Sequence, residues 1–420
     1  RRLPKRGATC YESTLDKQPL RVLYIHMVGA FGGASRSLFE VVRAFPPGAV
    51  QPMFVTQQGS VKTFFSQLGA VVESKGLSQF DNTRYSHYRG TRWVVLLREL
   101  AYLPLTAFAL RRARRRWGTV DLIHLNEFTG LIPLWIARRL FQAPSVVHVR
   151  SLAYNEPRSA RTRWIDRLLR KADAVIAIDE NVRESLPADL GVQVIHNVFS
   201  PAGVTDPDES FERRLSTLRP ESFKVGFVGN LMRVKGIYEL IEAARMTVER
   251  GLDVEFIIVG DDPHPSSSVK GRLLKLLGLD QSARQEIEAA LDQHGLRGRV
   301  HLVGFTSDIA HAYRRMDVLC FPSHYDAPGR PIFEAAFFGV PSIVALRHPR
   351  SDTLVDGETG LAIEPRDARG LAAAIERLAS DPASARRMGD AARQLAHENC
   401  DAGRNAMQLL GVYRRIARRS

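Results

Sequence analysis

The sequence predicts an α/β protein built from two Rossmann-like, doubly wound domains that face each other across a cleft. Three observations carry this. Short apolar runs of strand length alternate with longer segments of helical spacing. The alternation stops and restarts once. The break, Phe199–Ser222, holds Pro201, Gly203, Pro207 and Pro220 among several acidic residues. Such alternation builds a parallel sheet covered by helices, and a break rich in proline and glycine reads as a linker. A chain of 420 residues has room for two domains of ordinary size.

The first series of strand-like runs is Val22–His26, Met53–Val55, Leu122–Leu125, Ser145–Val149, Ala174–Ile178 and Val192–Ile195. Helical spacing falls between them, as in Ser35–Ala44 and Arg161–Lys171. The second series is Lys224–Val228, Val254–Val259, Val300–Val303, Val318–Phe321 and Ser342–Ala345. The expected domains are therefore 20–200 and 223–399, with 201–222 as linker. Open α/β sheets bind ligands at the carboxyl ends of their strands, which puts the expected site in the cleft.

Composition bounds the partners. Hydrophobic residues make up 45% and charged residues 25%, as in ordinary globular proteins. The formal net charge is +14, and the excess lies in residues 1–200, where 29 basic residues face 15 acidic ones. That asymmetry points to an anionic partner (nucleic acid, a membrane surface or a phosphorylated substrate) or to an arginine-rich solubilising surface. The three cysteines, Cys10, Cys320 and Cys400, are odd in number and lack metal-ligand spacing, which argues against a disulfide framework or a zinc site and fits a reducing cytosol. The basic run Arg1–Arg6 is not followed by an apolar stretch of signal-peptide length. The most apolar stretch, Trp93–Leu110, is interrupted by Arg98 and Glu99 and is too short to span a membrane. The expectation is a cytoplasmic protein, peripheral on a membrane at most. Within Trp93–Trp117, apolar residues precede the cluster Arg111, Arg112, Arg114, Arg115 and Arg116. Two readings stand: a helix for an anionic membrane surface, or a core-packing helix with a solvated basic end. Aromatics do not interleave the basic residues as in single-strand binders, so nucleic acid is not an expected partner.

Three segments carry chemistry. After the first strand, Gly29-Ala30-Phe31-Gly32-Gly33 leads into a helix. Glycines at such a turn let backbone N–H groups reach an anion at the helix start, or they serve a tight turn. In the second domain, Gly229-Asn230-Leu231-Met232-Arg233-Val234-Lys235-Gly236 separates a strand from a helix. Lys235 is positioned to meet a diphosphate as a mobile point charge, or to stand solvated. The third segment runs from Phe321-Pro322-Ser323 through Asp326 to Gly329-Arg330-Pro331-Ile332 and Glu334. Pro331 suits a first helical turn, and the N–H groups of Gly329–Ile332 suit phosphate. Glu334 suits vicinal hydroxyls, or complements the helix dipole at ~0.3–1 kcal/mol.

This third segment resembles the paired-carboxylate signature of retaining, GT-B-fold glycosyltransferases of the family-4 type. Asp326 and Glu334 stand at the family's separation, followed by Ala335, Gly339 and Pro341. Lys235-Gly236 resembles the family's phosphate lysine, Asp356-Gly357-Glu358-Thr359-Gly360-Leu361 a later turn, and Ile195-His196-Asn197-Val198 the approach to the linker. The resemblance runs from about Arg21 to Tyr413. It implies a nucleotide-diphosphate-sugar donor on the C-terminal domain, an acceptor on the N-terminal domain, and retention of anomeric configuration. It also implies that segment 400–420, with Tyr413, packs back on the N-terminal domain. The acceptor would be a sugar or a lipid-linked molecule of cell-surface polysaccharide or glycolipid synthesis. Lys235, the Gly32-Gly33 turn and the Gly329–Ile332 amides would stabilise the leaving diphosphate. Asp326 would hold donor hydroxyls and Glu334 the ribose, with Arg330, Asn230, Arg233 and Phe305 completing the donor set. With cations in place no cofactor and no metal is expected, and no Asp-x-Asp pair stands near the segment. Either Arg150, where many members carry a histidine, or His148, two residues earlier on the same strand face, would line the cleft, and with Asp326, Glu334 and Lys235 they make up the expected catalytic set. The sequence departs from the pattern at Asn230, where an arginine is usual, at Asp326, shorter by a methylene, and at His348-Pro349-Arg350-Ser351-Asp352, which lacks two usual glycines. A sugar-nucleotide epimerase of the same architecture and a non-catalytic protein binding an anionic surface are the alternatives.

Overall fold

The computed structural model describes residues 18–85, 92–156, 159–201, 209–262, 283–306 and 308–418, with only the backbone for 92–94. Arg1–Arg6, Cys10, Gly203 and Pro207 lie outside the described residues.

The N-terminal domain is a seven-stranded parallel sheet: β1 Leu20–His26, β2 Val50–Gln57, β3 Ala70–Ser74, β4 Leu122–Asn126, β5 Ser145–Val149, β6 Ala174–Ala177 and β7 Val192–Val194, in the order β3-β2-β1-β4-β5-β6-β7. The central strands are apolar almost throughout because both sheet faces are covered. One face packs on α3 (Arg92–Trp117) and α4 (Leu131–Phe141), through Leu110, Ala113, Leu131 and Leu134. The other packs on α1 (Gly33–Arg43) and, from the chain's far end, α14 (Ala402–Ala417). There Leu409, Leu410 and Tyr413 enter the N-terminal core, and Tyr413 Oη lies 2.7 Å from His124 Nδ1.

The C-terminal domain is a six-stranded parallel sheet, β8 Phe223–Val228, β9 Val254–Val259, β10 Val300–Gly304, β11 Val318–Phe321, β12 Ser342–Ala345 and β13 Gly360–Ile363, in the order β10-β9-β8-β11-β12-β13. Helix α8 (Ile237–Glu249) follows β8, α11 (Arg330–Ala336) follows β11, and α12 (Ala368–Ser380) and α13 (Pro382–Asn399) follow β13.

Three elements escape the sequence reading. β3 and β13 are short strands that end in polar or glycine-bearing turns. The stretch read as linker contains helix α7 (Glu209–Leu215), whose Phe211 and Leu215 are buried in the C-terminal core. A helix that short shows too few turns for periodicity to announce it.

Each sheet reverses strand order once, between β1 and β4 and between β8 and β11. Those switch points are where open sheets leave a crevice. They bring the loops after β1 and β4 opposite the loops after β8 and β11. The chain passes between domains twice, and the two passages lie side by side. Phe199 N donates to Cys400 O at 3.2 Å, and Phe199 and Asp401 form a parallel bridge.

Candidate active site

The cleft holds two adjoining cavities. The inner one, about 290 Å³, is bounded by Gly33, Ser37, Glu127 and Arg150 of the N-terminal domain and by Lys235 and Gly329 of the other. The outer one, about 310 Å³, opens past Asp81, Thr83 and Tyr85 against Tyr325. Arg150, Lys235 and Gly329 border both. The volumes lie at the lower end of the range for small-molecule sites.

Lys235 is placed by a tight turn. Residues Arg233–Lys235 form one 3-10 turn closed by Gly236 at φ +78°. A Cβ at Gly236 would stand 1.9 Å from Pro322 O, so only glycine lets the turn pack against the loop after β11. The Lys235 ammonium lies 5.2 Å from the Tyr325 ring centroid and 5.8 Å from that of Phe321. No carboxylate pairs with it among the described residues. Burial lowers its pKa from the ordinary lysine value. It is a partly desolvated cation facing open space, a setting in which an anion gains most from its charge.

The Gly329 N-cap and Pro331 start α11 as the sequence implies. Gly329 is demanded by packing as well, since a Cβ there would meet the Phe321 ring at 2.3 Å. Gly329, Arg330 and Ile332 border the inner cavity, whereas Pro331 does not. Arg330 is engaged elsewhere. Its guanidinium donates to Glu334 Oε1 at 2.8 Å, to Ser37 Oγ at 2.7 Å and to Glu40 Oε2 at 2.7 Å. It therefore ties α11 to α1 across the cleft. Burial opposes its charge, but Glu334 and Glu40 outweigh burial and raise its pKa.

The signature carboxylates sit differently from the sequence reading. Glu334 is buried, held by Arg330 and by Tyr313 Oη at 2.9 Å, and borders neither cavity. Burial opposes its charge, yet Arg330 prevails and its pKa falls below the usual carboxylate value. Asp326, in left-handed backbone at φ +47°, accepts from the Arg347 backbone N–H at 2.8 Å and from its guanidinium at 3.2 Å. It too lies off both cavities. In each case an arginine that the signature alone does not announce claims the carboxylate.

The remaining expected residues divide similarly. Gly33 borders the inner cavity, while the Gly32 N–H is spent on Ser35 Oγ at 2.7 Å. Asn230 is exposed and borders neither cavity. Arg233 turns outward over the Tyr238 ring, 4.1 Å from its centroid, and does not replace the missing arginine in the cleft. Phe305 is 73% exposed and away from both cavities. His148 is buried beneath Arg150, with Nδ1 3.3 Å from an Arg150 nitrogen and Nε2 without a partner among the described residues. Burial, with Arg150 adding to it, holds the imidazole neutral, its pKa well below the ordinary value. Arg150 itself faces both cavities, braced by Asn126 Oδ1 at 2.5 Å and Asn197 Oδ1 at 2.6 Å. Burial lowers its pKa to about 9, so it remains a cation at neutral pH.

Glu127 was missed by the sequence reading. It directly follows β4 with φ +112°, a conformation that costs a non-glycine residue about 1–3 kcal/mol. Its carboxylate borders the inner cavity, accepting from Phe128 N at 2.9 Å and from Ser151 Oγ at 2.7 Å, with no ion-pair partner among the described residues. Burial raises its pKa to about 7. It is thus an oriented carboxylate able to exchange a proton near neutrality. The signal that could have found it is positional: a carboxylate at the carboxyl end of a central strand, beside the switch point.

The segment His348–Asp352, where the resemblance lacks two glycines, clasps the N-terminal domain. Asp352 accepts from Glu180 N at 2.9 Å and lies 2.8 Å from His196 Nε2, and Asn181 Nδ2 donates to His348 O at 2.9 Å. Among the described residues no group of three or more His, Cys, Asp or Glu side chains is assembled that could hold a metal ion.

Two Rossmann-like domains facing across a cleft are the architecture of the GT-B class of glycosyltransferase. Residues 31–202 match the family described as Glycosyltransferase Family 4, and residues 208–395 that described as glycosyl transferases group 1. The chain belongs to this glycosyltransferase family. Among curated relatives, the alpha-D-kanosaminyltransferase of Streptomyces kanamyceticus is 28% identical over 301 residues, covering 67% of this chain and 73% of that one. The capsular polysaccharide biosynthesis glycosyltransferase CapM of Staphylococcus aureus is 29% identical over 174 residues, 41% of each chain. Among solved structures, Anabaena HepE in complex with UDP and glucose superposes with a TM-score of 0.70 at 22% identity, covering 94% of this chain and 99% of that one. The sucrose-phosphate synthase of Thermosynechococcus elongatus gives 0.68 at 21%, covering 96% and 100%.

Proposed function

We propose that this glycosyltransferase takes a sugar from a nucleotide-diphosphate donor held by the C-terminal domain and passes it, with retention, to an acceptor on the N-terminal domain. The observation that carries the proposal is Lys235: a desolvated cation, without a carboxylate partner among the described residues, at the β8–β11 switch point beside the Gly329 turn that opens α11. As the glycosyl–diphosphate bond breaks, negative charge grows on the leaving diphosphate. A fixed cation and the amides at a helix start stabilise that charge without reorganising. Arg150 adds positive charge from the opposite wall. These groups supply the neutralisation a divalent ion would otherwise give, so no metal is part of the proposal. A structural neighbour holding UDP and glucose supports a nucleotide-sugar donor. The resemblance in the Asp326–Glu334 segment supports retention. Relatives named for capsular polysaccharide and for mannosyl transfer support an acceptor of polysaccharide or glycolipid synthesis. An anionic membrane surface, met through the basic N-terminal half, is the proposed setting.

The test is a thermal-shift screen of nucleotide sugars. The true donor raises the melting temperature, and Lys235→Ala loses that response while folding normally. A donor response intact in Lys235→Ala overturns the site assignment. Product anomeric configuration, read by NMR, tests retention, and unchanged turnover in excess EDTA tests independence from metal.

A further inference from the structure

Helix α3 (Arg92–Trp117) has two apolar faces. Its inner face is buried through Thr106, Ala109, Leu110 and Ala113. Its outer face carries Leu97, Leu100, Pro104, Phe108, Arg111 and Arg115 at three- and four-residue steps, so they form one stripe. Leu97 is 68% exposed, Leu100 51% and Phe108 65%. The apolar part of the stripe runs about 16 Å at 1.5 Å per residue. Beyond it, Arg111, Arg112, Arg115 and Arg116 are exposed, line one recess with Phe108, and have no hydrogen-bond or ion-pair partner among the described residues. No helix among the described residues is long and apolar enough to cross a membrane. Apolar side chains that continue into free arginines, on a helix lying along the surface, match a layer with an anionic skin and an apolar interior. A nucleic acid would leave the exposed leucines without a role.

The same helix holds the rim of the outer cavity. Thr106 Oγ1 accepts from Ser78 N at 2.8 Å, and the Glu99 carboxylate accepts from Gln79 N. The segment hung there continues to Asp81, Thr83 and Tyr85, which line the outer cavity facing Tyr325. The helix that offers the stripe therefore also carries the acceptor side of the cleft.

We propose that the outer face of α3 seats the protein on an anionic lipid bilayer, with Leu97, Leu100 and Phe108 in the interface and the four arginines on lipid phosphates. The rim at Asp81–Tyr85 is then presented to an acceptor borne on that surface. This rests on the transferase reading only for the acceptor; the docking surface stands on α3 alone.

The test is co-sedimentation of the full chain with vesicles of mixed phosphatidylglycerol and phosphatidylcholine, and with phosphatidylcholine alone. The full chain is expected to sediment with the anionic vesicles and remain in solution with the neutral ones. Charge reversal at Arg111, Arg112, Arg115 and Arg116 lowers partitioning roughly tenfold or more. A second variant, Leu97→Ser with Leu100→Ser and Phe108→Ser, also lowers it, at an unchanged melting temperature because these side chains face solvent. Equal binding to neutral vesicles, no binding to anionic ones, or unaltered binding by either variant overturns the proposal. Capture of a single-stranded oligonucleotide without vesicle binding overturns it in favour of nucleic acid. Donor binding, followed separately by thermal shift, is untouched by both variants. A failed vesicle test thus leaves the transferase reading standing, and a failed donor screen leaves the docking surface standing.

Discussion

Arg330 of the C-terminal domain and Glu40 of the N-terminal domain form an ion pair across the cleft, 2.7 Å apart, at the start of α11. Glu334 shares the same guanidinium and is itself buried. Replacing Arg330 by methionine leaves a buried carboxylate uncompensated. The expected loss is about 3–5 kcal/mol, seen as a lower melting temperature. Adding Glu334→Gln to that variant recovers part of the loss, whereas Glu334→Gln alone, in wild-type background, destabilises.

Lys235→Ala removes the free cation without opening a carboxylate's partner. Turnover with the identified donor is expected to fall about a hundred- to a thousandfold, the scale of a lost transition-state contact, at an almost unchanged melting temperature. Steady-state kinetics beside a thermal melt separate the two effects.

Gly236→Ala acts on the same lysine through the backbone. The added Cβ collides with Pro322 O, and the left-handed φ becomes strained. The Lys235 turn must move away from the loop after β11. Expected results are a drop in stability of about 1–3 kcal/mol or more and loss of the donor-induced shift.

Glu127 gives a pH signature. Its pKa is raised from 4.5 to about 7 by burial, so the carboxylate form dominates only above neutrality. Transfer that uses this carboxylate falls as pH drops through about 7, and Glu127→Gln flattens that limb of the kcat/KM profile while lowering its plateau. Stability runs the opposite way. Because the folded state favours the protonated acid, its contribution is full below the unfolded pKa and is lost as pH rises through about 7. Glu127→Gln is therefore more stable than the wild type at pH 8, by roughly 1–3 kcal/mol, and matches it more closely at pH 5. Paired melts at the two pH values check this.

Much of the fold was legible because its backbone demands are written in residue type. Gly236 and Gly329 are glycines because a Cβ would strike a neighbouring loop or ring, and Pro331 fits the first turn of α11. The two strand series were legible because both faces of each sheet are covered, leaving the central strands buried and mostly apolar. The charges at the cleft were less so. Spacing showed Asp326 and Glu334 but not Arg347 and Arg330 as their partners. Arg330 reaches Ser37 and Glu40, 293 and 290 residues away in the sequence, a pairing that exists only once the domains face each other. Glu127 was hidden for a related reason: its backbone is at φ +112°, and glutamate carries no local mark of that conformation. Arg350 and Asp352 read as a departure from a donor loop, whereas they serve the contact with Glu184 and Glu180.

The paired passages at Phe199 and Asp401 constrain how the enzyme works as a machine. The two crossings are bonded to each other, so the halves are joined at one place by paired backbone and not by a single tether. Lys235 and Glu127 stand on opposite jaws, so any opening that keeps this joint intact moves them apart. The Arg330–Glu40 pair is one catch across the cleft, and the contacts of Asp352 and Arg350 with the N-terminal domain are another.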